Sequence, residues 1–172
     1  MQIIDAAPRH LPGMLAIYNQ VVADSAAIYR DDPATAEERA AWIADRQGAG
    51  FPVIVAEDAD GAVLGYASYG PWRGAFPGYR FTVEHTIMIR DGARGRGLGR
   101  ALMEALEARA RAQGIHVMLG SVDADNPGSI ALHEKLGFKV VARHEQVGAK
   151  FGRWLDMVFL QKILDDRAAP PE

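Results

Sequence analysis

Residues 84–106 read EHTIMIRDGARGRGLGRALMEAL. An alternating, β-branched segment runs into a knot of glycine and arginine, then directly into a helical repeat. Few architectures accept that order. Leu98, Leu102, Ala105 and Leu106 share one helix face, so a helix starts where the glycines end and stops at Gly114. A helix start offers unpaired N–H groups and the positive end of a dipole. Gly95, Gly97 and Gly99 carry no side chains, so the backbone can approach another molecule closely. Such a turn suits a phosphate or pyrophosphate, with Arg94, Arg96 and Arg100 adding charge at the rim. It equally suits a plain strand–helix turn with solvated arginines, and glycine content alone does not separate the two. Two nucleotide motifs are excluded. No Gly-x-x-x-x-Gly-Lys-Ser/Thr run is present, and the third position after Gly97 is Arg100, which breaks a Gly-x-Gly-x-x-Gly fingerprint.

The remaining segments place this turn in an α/β order. Gln2–Asp5 reads as a strand, and Leu11, Leu15, Tyr18 and Val22 recur at helical spacing. Thr35 and Glu38 form a capping-box signature for a helix that Gly48 closes. Pro52–Glu57 and Ala62–Tyr69 read as strands around Asp60-Gly61, and 71–79 as a loop. Arg80–Arg90 and Ile115–Val122 are strands, Asn126-Pro127 starts a helix ending at Gly137, and strands follow near Lys139–Gln146 and Trp154–Ile163. The pattern predicts an α/β (α+β) fold with helices inserted into a mixed, mostly antiparallel sheet. One domain is expected over 1–165, with a disordered tail over 166–172.

Composition limits the partners. The net charge of −3 gives no global attraction to nucleic acid or an anionic membrane. There is no cysteine, which removes disulfides, thiolate metal sites and a cysteine nucleophile. No charged leader precedes a long apolar run, and no run reaches the roughly 20 residues that span a bilayer. The expectation is a cytoplasmic protein with no metal, no nucleic-acid partner and no membrane association.

Within the 80–90 strand, alternation puts Thr82, Glu84, Thr86 and Met88 on one face and Val83, His85, Ile87 and Ile89 on the other. A carboxylate in so apolar a strand is either on a solvated face or part of a site. His85, facing the other way, reads as a structural core histidine.

Arg94-x-x-Gly97-x-Gly99 after a strand resembles the pyrophosphate signature of the GCN5-related N-acetyltransferases (GNAT). Asn126-Pro127-x-Ser129-x-x-Leu132-His133-Glu134-Lys135-Leu136-Gly137-Phe138 resembles the family segment beside the CoA arm. TVEHTIMIRDGARGRGLG, LHEKLGF and VGAKFGRWLDMVFLQ are similar to the phosphinothricin and methionine sulfoximine acetyltransferase subgroup. The resemblance implies a sheet splayed at an acetyl-CoA site. It implies acetyl-CoA held by Ile87, Met88, Ile89, the turn Arg94, Gly95, Arg96, Gly97, Leu98, Gly99 and Arg100, and Asn126, Ser129 and Lys135. It implies acetyl transfer by direct attack to the α-amino group of glutamate-like amino acids (L-methionine sulfoximine, L-methionine sulfone, phosphinothricin), giving resistance to such toxic analogues.

In that subgroup the proposed base falls on Glu84. His133 stands where many members have tyrosine, and it would serve as acid or second base. An acceptor carboxylate favours arginine's planar fork, which singles out Arg73 and Arg80 around Trp72, Pro77, Gly78 and Tyr79. Tyr29 and a second basic aromatic loop with Lys150 and Trp154 complete the expected acceptor contacts, near a homodimer interface. Two rival functions use the same turn. One is a peptide amino-terminal acetyltransferase, which needs an open groove. The other is a non-catalytic acyl-CoA-binding protein.

Overall fold

The helix boundaries follow local chemistry. Thr35 accepts from the Glu38 amide while the Glu38 carboxylate accepts from the Thr35 amide, so both bonds of the capping box form. Asn126 accepts from the Ser129 amide at 3.0 Å ahead of Pro127. In the computed structural model, which describes residues 1–171, the elements are β1 (Gln2–Asp5), α1 (Leu11–Asp24), α2 (Ala36–Gly48), β2 (Val53–Glu57) and β3 (Val63–Pro71). They continue as β4 (Thr82–Ile89), α3 (Leu98–Ala112), β5 (Val117–Asp123), α4 (Pro127–Lys135), β6 (Lys139–Lys150) and β7 (Arg153–Ile163). Short 3₁₀ turns stand at Pro8–His10 and Pro77–Tyr79.

One seven-stranded sheet has the order β1-β2-β3-β4-β5-β7-β6. Every neighbouring pair is antiparallel except β4 and β5. That parallel pair is short. It covers Thr82↔Val117, Val83↔Met118 and Glu84↔Leu119 and then stops. β3 stays paired with β4 as far as Ile89, and β7 with β5 as far as Asp123. Past Glu84 the sheet therefore opens into a V, leaving the 87–89 edge of β4 without a strand.

Apolar layers cover both faces. α3 buries Leu102, Met103 and Leu106 completely against one face, beside Val83 and Met118. α1 covers the other with Met14 and Ile17, packed on Val55 of β2 and Tyr66 of β3, and α2 adds Trp42 and Ile43. Each large side chain so buried contributes about 1.5–3 kcal/mol before entropy is counted. The alternation read for β4 holds: Val83, Ile87 and Ile89 join the α3 layer, and Met88 joins the α1–α2 layer.

One segment differs from expectation. β6 does not end at Gln146, and 150–154 is not a loop: β6 continues to Lys150 and turns tightly into β7. Phe151 and Gly152 both adopt positive φ, 52° and 71°, as a two-residue hairpin turn requires. A bulge between His144 and Gly148, with Gln146 at φ 55°, interrupts the alternation that would have shown the strand continuing. Within the expected tail, Arg167 pairs with Asp165 and donates to the Gly114 carbonyl at 2.8 Å. Glu172 lies outside the described residues.

Candidate active site

The opened V and the α1–α2 face of β4 meet at Glu84. Its carboxylate accepts a hydrogen bond from Ser121, which lies two residues past the last β4–β5 pair. A cavity of about 410 Å³ lies over this face. That is within the roughly 300–1,000 Å³ of small-molecule sites. Glu84, Thr86 and Met88 form its floor with Ser68 and Gly70 of β3. Tyr18 and Ile28 close one side, Ser121 another, and Arg39, Trp42 and Arg46 of α2 form the roof.

On the other limb of the V, the glycine turn is shaped for backbone recognition. Gly95 and Gly97 have φ of 76° and 80°, which a side chain resists. Gly99 has a different reason: a Cβ there would meet Leu132 at 2.8 Å, so its absence lets α3 pack against α4. Gly97 is the N-cap of α3, leaving the first-turn amides directed at the turn. Arg94 and Arg96 are exposed and form no ion pair among the described residues, while Arg100 pairs with Glu104 at 3.3 Å. Free amides, open space and unpaired cations fit a pyrophosphate. The unpaired edge of Ile87, Met88 and Ile89 fits an extended arm carrying amides, which would bond as an added strand does. Ser129 and the exposed Lys135 lie on α4 across the gap. Asn126 has its side-chain oxygen committed to the helix cap.

His133 and His85 sit together between these limbs. Their rings stack at 5.0 Å and their Nε2 atoms are 3.0 Å apart. His133 Nδ1 lies 2.7 Å from the Ser129 carbonyl, an oxygen that only accepts, so Nδ1 carries the proton. His133 Nε2 then accepts from His85 Nε2–H, and His85 Nδ1 is left buried without a partner among the described residues. Burial pulls the His85 pKa down to about 3, helped by His133. Burial also lowers the His133 pKa, partly opposed by the Ser129 carbonyl. Both rings are neutral near pH 7. Gly120 makes room for them, since a Cβ there would stand 2.6 Å from His85 Nε2. His85 is half-buried, packed edge-on against Phe138 and bonded to His133, and it also reaches the cavity.

Of the expected acceptor contacts, Glu84 alone lines the cavity. Trp72 and Tyr79 pack edge-to-face at 5.0 Å with Arg73 over both rings, and Arg80 lies over Phe81, all on the outer loop with Pro77 and Gly78. The Tyr29 hydroxyl donates to Asp123 and to the Asp156 carbonyl, while its neighbour Ile28 reaches the cavity. Trp154 is exposed. Lys150 is a correction. Its ammonium is buried and donates to the carbonyls of Val22, Ser25 and Ile28 at 2.5, 2.8 and 2.9 Å. It fastens the end of α1 and has no donor left for a ligand.

The sequence reading missed Ser121 and the α2 arginines. Ser121 had no signal, because the bond it makes joins positions 37 apart. Arg39 and Arg46 did have one. Positions 39, 42, 43 and 46 have the i, i+3, i+4, i+7 spacing of a buried helix face, and two of the four are arginine.

The sequence signature of the Acetyltransferase (GNAT) family matches residues 14–138. The chain is 50% identical to the L-methionine sulfoximine/L-methionine sulfone acetyltransferase of Pseudomonas aeruginosa, covering 98% of both chains. It is 32% identical to a phosphinothricin N-acetyltransferase of Streptomyces coelicolor, over 95% of this chain and 96% of that one. Its fold matches the yncA acetyltransferase structure from Salmonella typhimurium, solved with acetyl-CoA, with a TM-score of 0.94, 45% identity and coverage of 99% and 98%. A splayed sheet, a glycine turn capping α3 and a carboxylate at the fork agree with these likenesses: the chain belongs to the GNAT family and is an acetyltransferase.

Proposed function

We propose that this enzyme acetylates the α-amino group of small, glutamate-like amino acids, among them L-methionine sulfoximine, L-methionine sulfone and phosphinothricin. The observation that carries the reading is Glu84: a strand carboxylate at the floor of a cavity, at the point where the sheet opens. The names of the relatives agree with it. Acetyl-CoA, when bound, supplies the acetyl group activated as a thioester. The turn from Arg94 to Arg100 and the free edge of Ile87–Ile89 would hold it, with Asn126, Ser129 and Lys135 across the gap. Glu84 takes the proton that an ammonium must lose before it has a lone pair, directly or through water, and Ser121 holds that carboxylate in place. His133 has both ring nitrogens engaged, so it acts as acid or second base only once its bond to His85 opens. The loop residues Trp72, Arg73, Tyr79 and Arg80 form the outer approach to the cavity.

The same reading includes a single domain over 1–165, a cytoplasmic location, and a role in resistance to toxic amino acid analogues. It includes a homodimer, which the exposed Val147, Phe151 and Trp154 on the β6–β7 hairpin favour. The test is CoA-thiol release with L-methionine sulfoximine, L-methionine sulfone and phosphinothricin, beside spermidine and a peptide. Selective turnover of the first three is expected. Turnover of the peptide alone would contradict the amino acid site.

A further inference from the structure

The cavity contains two arginines and one carboxylate, and neither arginine forms an ion pair with a carboxylate among the described residues. Arg39 is only 7% exposed. Its guanidinium is clamped between the rings of Tyr18 and Trp42, at 4.3 and 4.1 Å. Its Nε has no hydrogen-bond partner among the described residues. Arg46 is half-buried, and its guanidinium lies flush on Gly70, where a Cβ would stand 0.9 Å from Nη1. Gly70 is the ladder partner of Glu84. Directly paired residues project to the same face with Cβ atoms about 5 Å apart. The space that Gly70 leaves is therefore filled by a cation beside the Glu84 side chain. Burial lowers the Arg46 pKa, and the charge of Glu84 opposes that. The two groups feel each other without joining.

Buried cations are costly unless paired. One buried and one half-buried cation in the same cavity, beside a single carboxylate that already accepts from Ser121, leave net positive charge to be neutralised. An α-amino acid carries its carboxylate on the same carbon as its amine. An amine placed at Glu84 brings that carboxylate to the neighbouring cation. We infer that Arg46 binds the α-carboxylate of the acceptor, with Arg39 held behind it as a second positive charge on the same wall. This rests on the acceptor reading above and moves the recognition of the anion from the outer loop, Arg73 and Arg80, to α2.

The test uses steady-state acetyl transfer to L-methionine sulfone and to its carboxamide, which keeps the amine and loses the charge. Arg46→Ala raises KM for the acid by about 10- to 100-fold, the range for a lost bond to a charged group, and leaves KM for acetyl-CoA unchanged. Arg46→Lys restores part of the loss. On the carboxamide, wild type is already poor and Arg46→Ala is no worse. Gly70→Ala supplies a variant with Arg46 intact. Gly70 does not adopt a positive φ, so the new Cβ displaces the flexible guanidinium rather than straining the strand. It shows the same selective loss on the acid. Equal losses on acid and carboxamide would overturn the inference, as would a loss confined to Arg73→Ala. If wild type turns over neither compound while still binding acetyl-CoA, the acceptor reading itself fails, and this inference with it.

Discussion

The glycine turn at residues 90–97 and the cavity beneath α1 and α2 share one strand, β4, yet draw their chemistry from the chain in different ways. The turn is local. Its positive-φ glycines, its arginines and the amides of α3 fall within about a dozen consecutive positions, and on the proposed reading backbone groups would do the recognising. The cavity is assembled from residues between 18 and 121 on five elements and the segment after α1, and on the proposed reading side chains would do the recognising. A site made of adjacent backbone tolerates change in its side chains but not in its φ angles. A site made of distant side chains tolerates change in its backbone elements as long as the register holds. Substitutions in one half should therefore leave the binding constant of the other unchanged.

The largest effect is expected at the turn. Gly97→Val places a β-branched residue at φ 80°. It should destabilise the fold by about 2–3 kcal/mol and weaken acetyl-CoA binding more than roughly tenfold. The acceptor KM should stay the same. Calorimetric titration with acetyl-CoA and thermal unfolding check both parts.

Next comes the histidine pair between the limbs. The folded-state pKa of His85 is about 3, below the ordinary value of 6.5, so the fold favours the neutral ring. Its contribution is complete above the unfolded value and is lost as pH falls from about 6.5 toward 3. Between pH 6.5 and 5 the loss should be about 2 kcal/mol, at 1.36 kcal/mol per unit. His85→Gln should flatten that dependence in denaturant melts. An equally steep slope in the variant would assign the effect to other groups.

Lys150→Met should cost about 1–2 kcal/mol, because three carbonyls at the end of α1 lose a charged donor. It should raise the acceptor KM a few-fold by loosening Ile28, with acetyl-CoA affinity unchanged. If Lys150→Met abolished acceptor binding outright at unchanged stability, the ammonium would be a ligand contact after all. The smallest effect is expected for Ser121→Ala. Losing the bond to Glu84 should lower kcat/KM about three- to tenfold, near 1 kcal/mol, with no change in acetyl-CoA affinity.

The same contrast explains what was legible in the sequence. The capping box at Thr35 and Glu38, the Asn126 cap and the glycine turn are signals within a few residues, and each appears where it was read. Glu84 could be placed on its face because strand alternation is also local. Ser121 could not, since only the abrupt end of β4–β5 pairing brings it to Glu84. Lys150 looked like a ligand-seeking cation because sequence shows a charge but not the carbonyls that consume it. Arg39 and Arg46 were readable in principle, as charges on the apolar face of α2, and they were passed over in favour of arginines in a glycine- and aromatic-rich loop.

The central proposal is that one carboxylate at the fork of the sheet activates the acceptor while a separate limb, the turn with the free edge of β4, holds the donor. The direct measurement is kcat/KM of Glu84→Gln for L-methionine sulfone across pH, together with its dissociation constant for acetyl-CoA. The account predicts a fall in kcat/KM of at least about 100-fold with an unchanged dissociation constant. Full kcat/KM retained at every pH would contradict it.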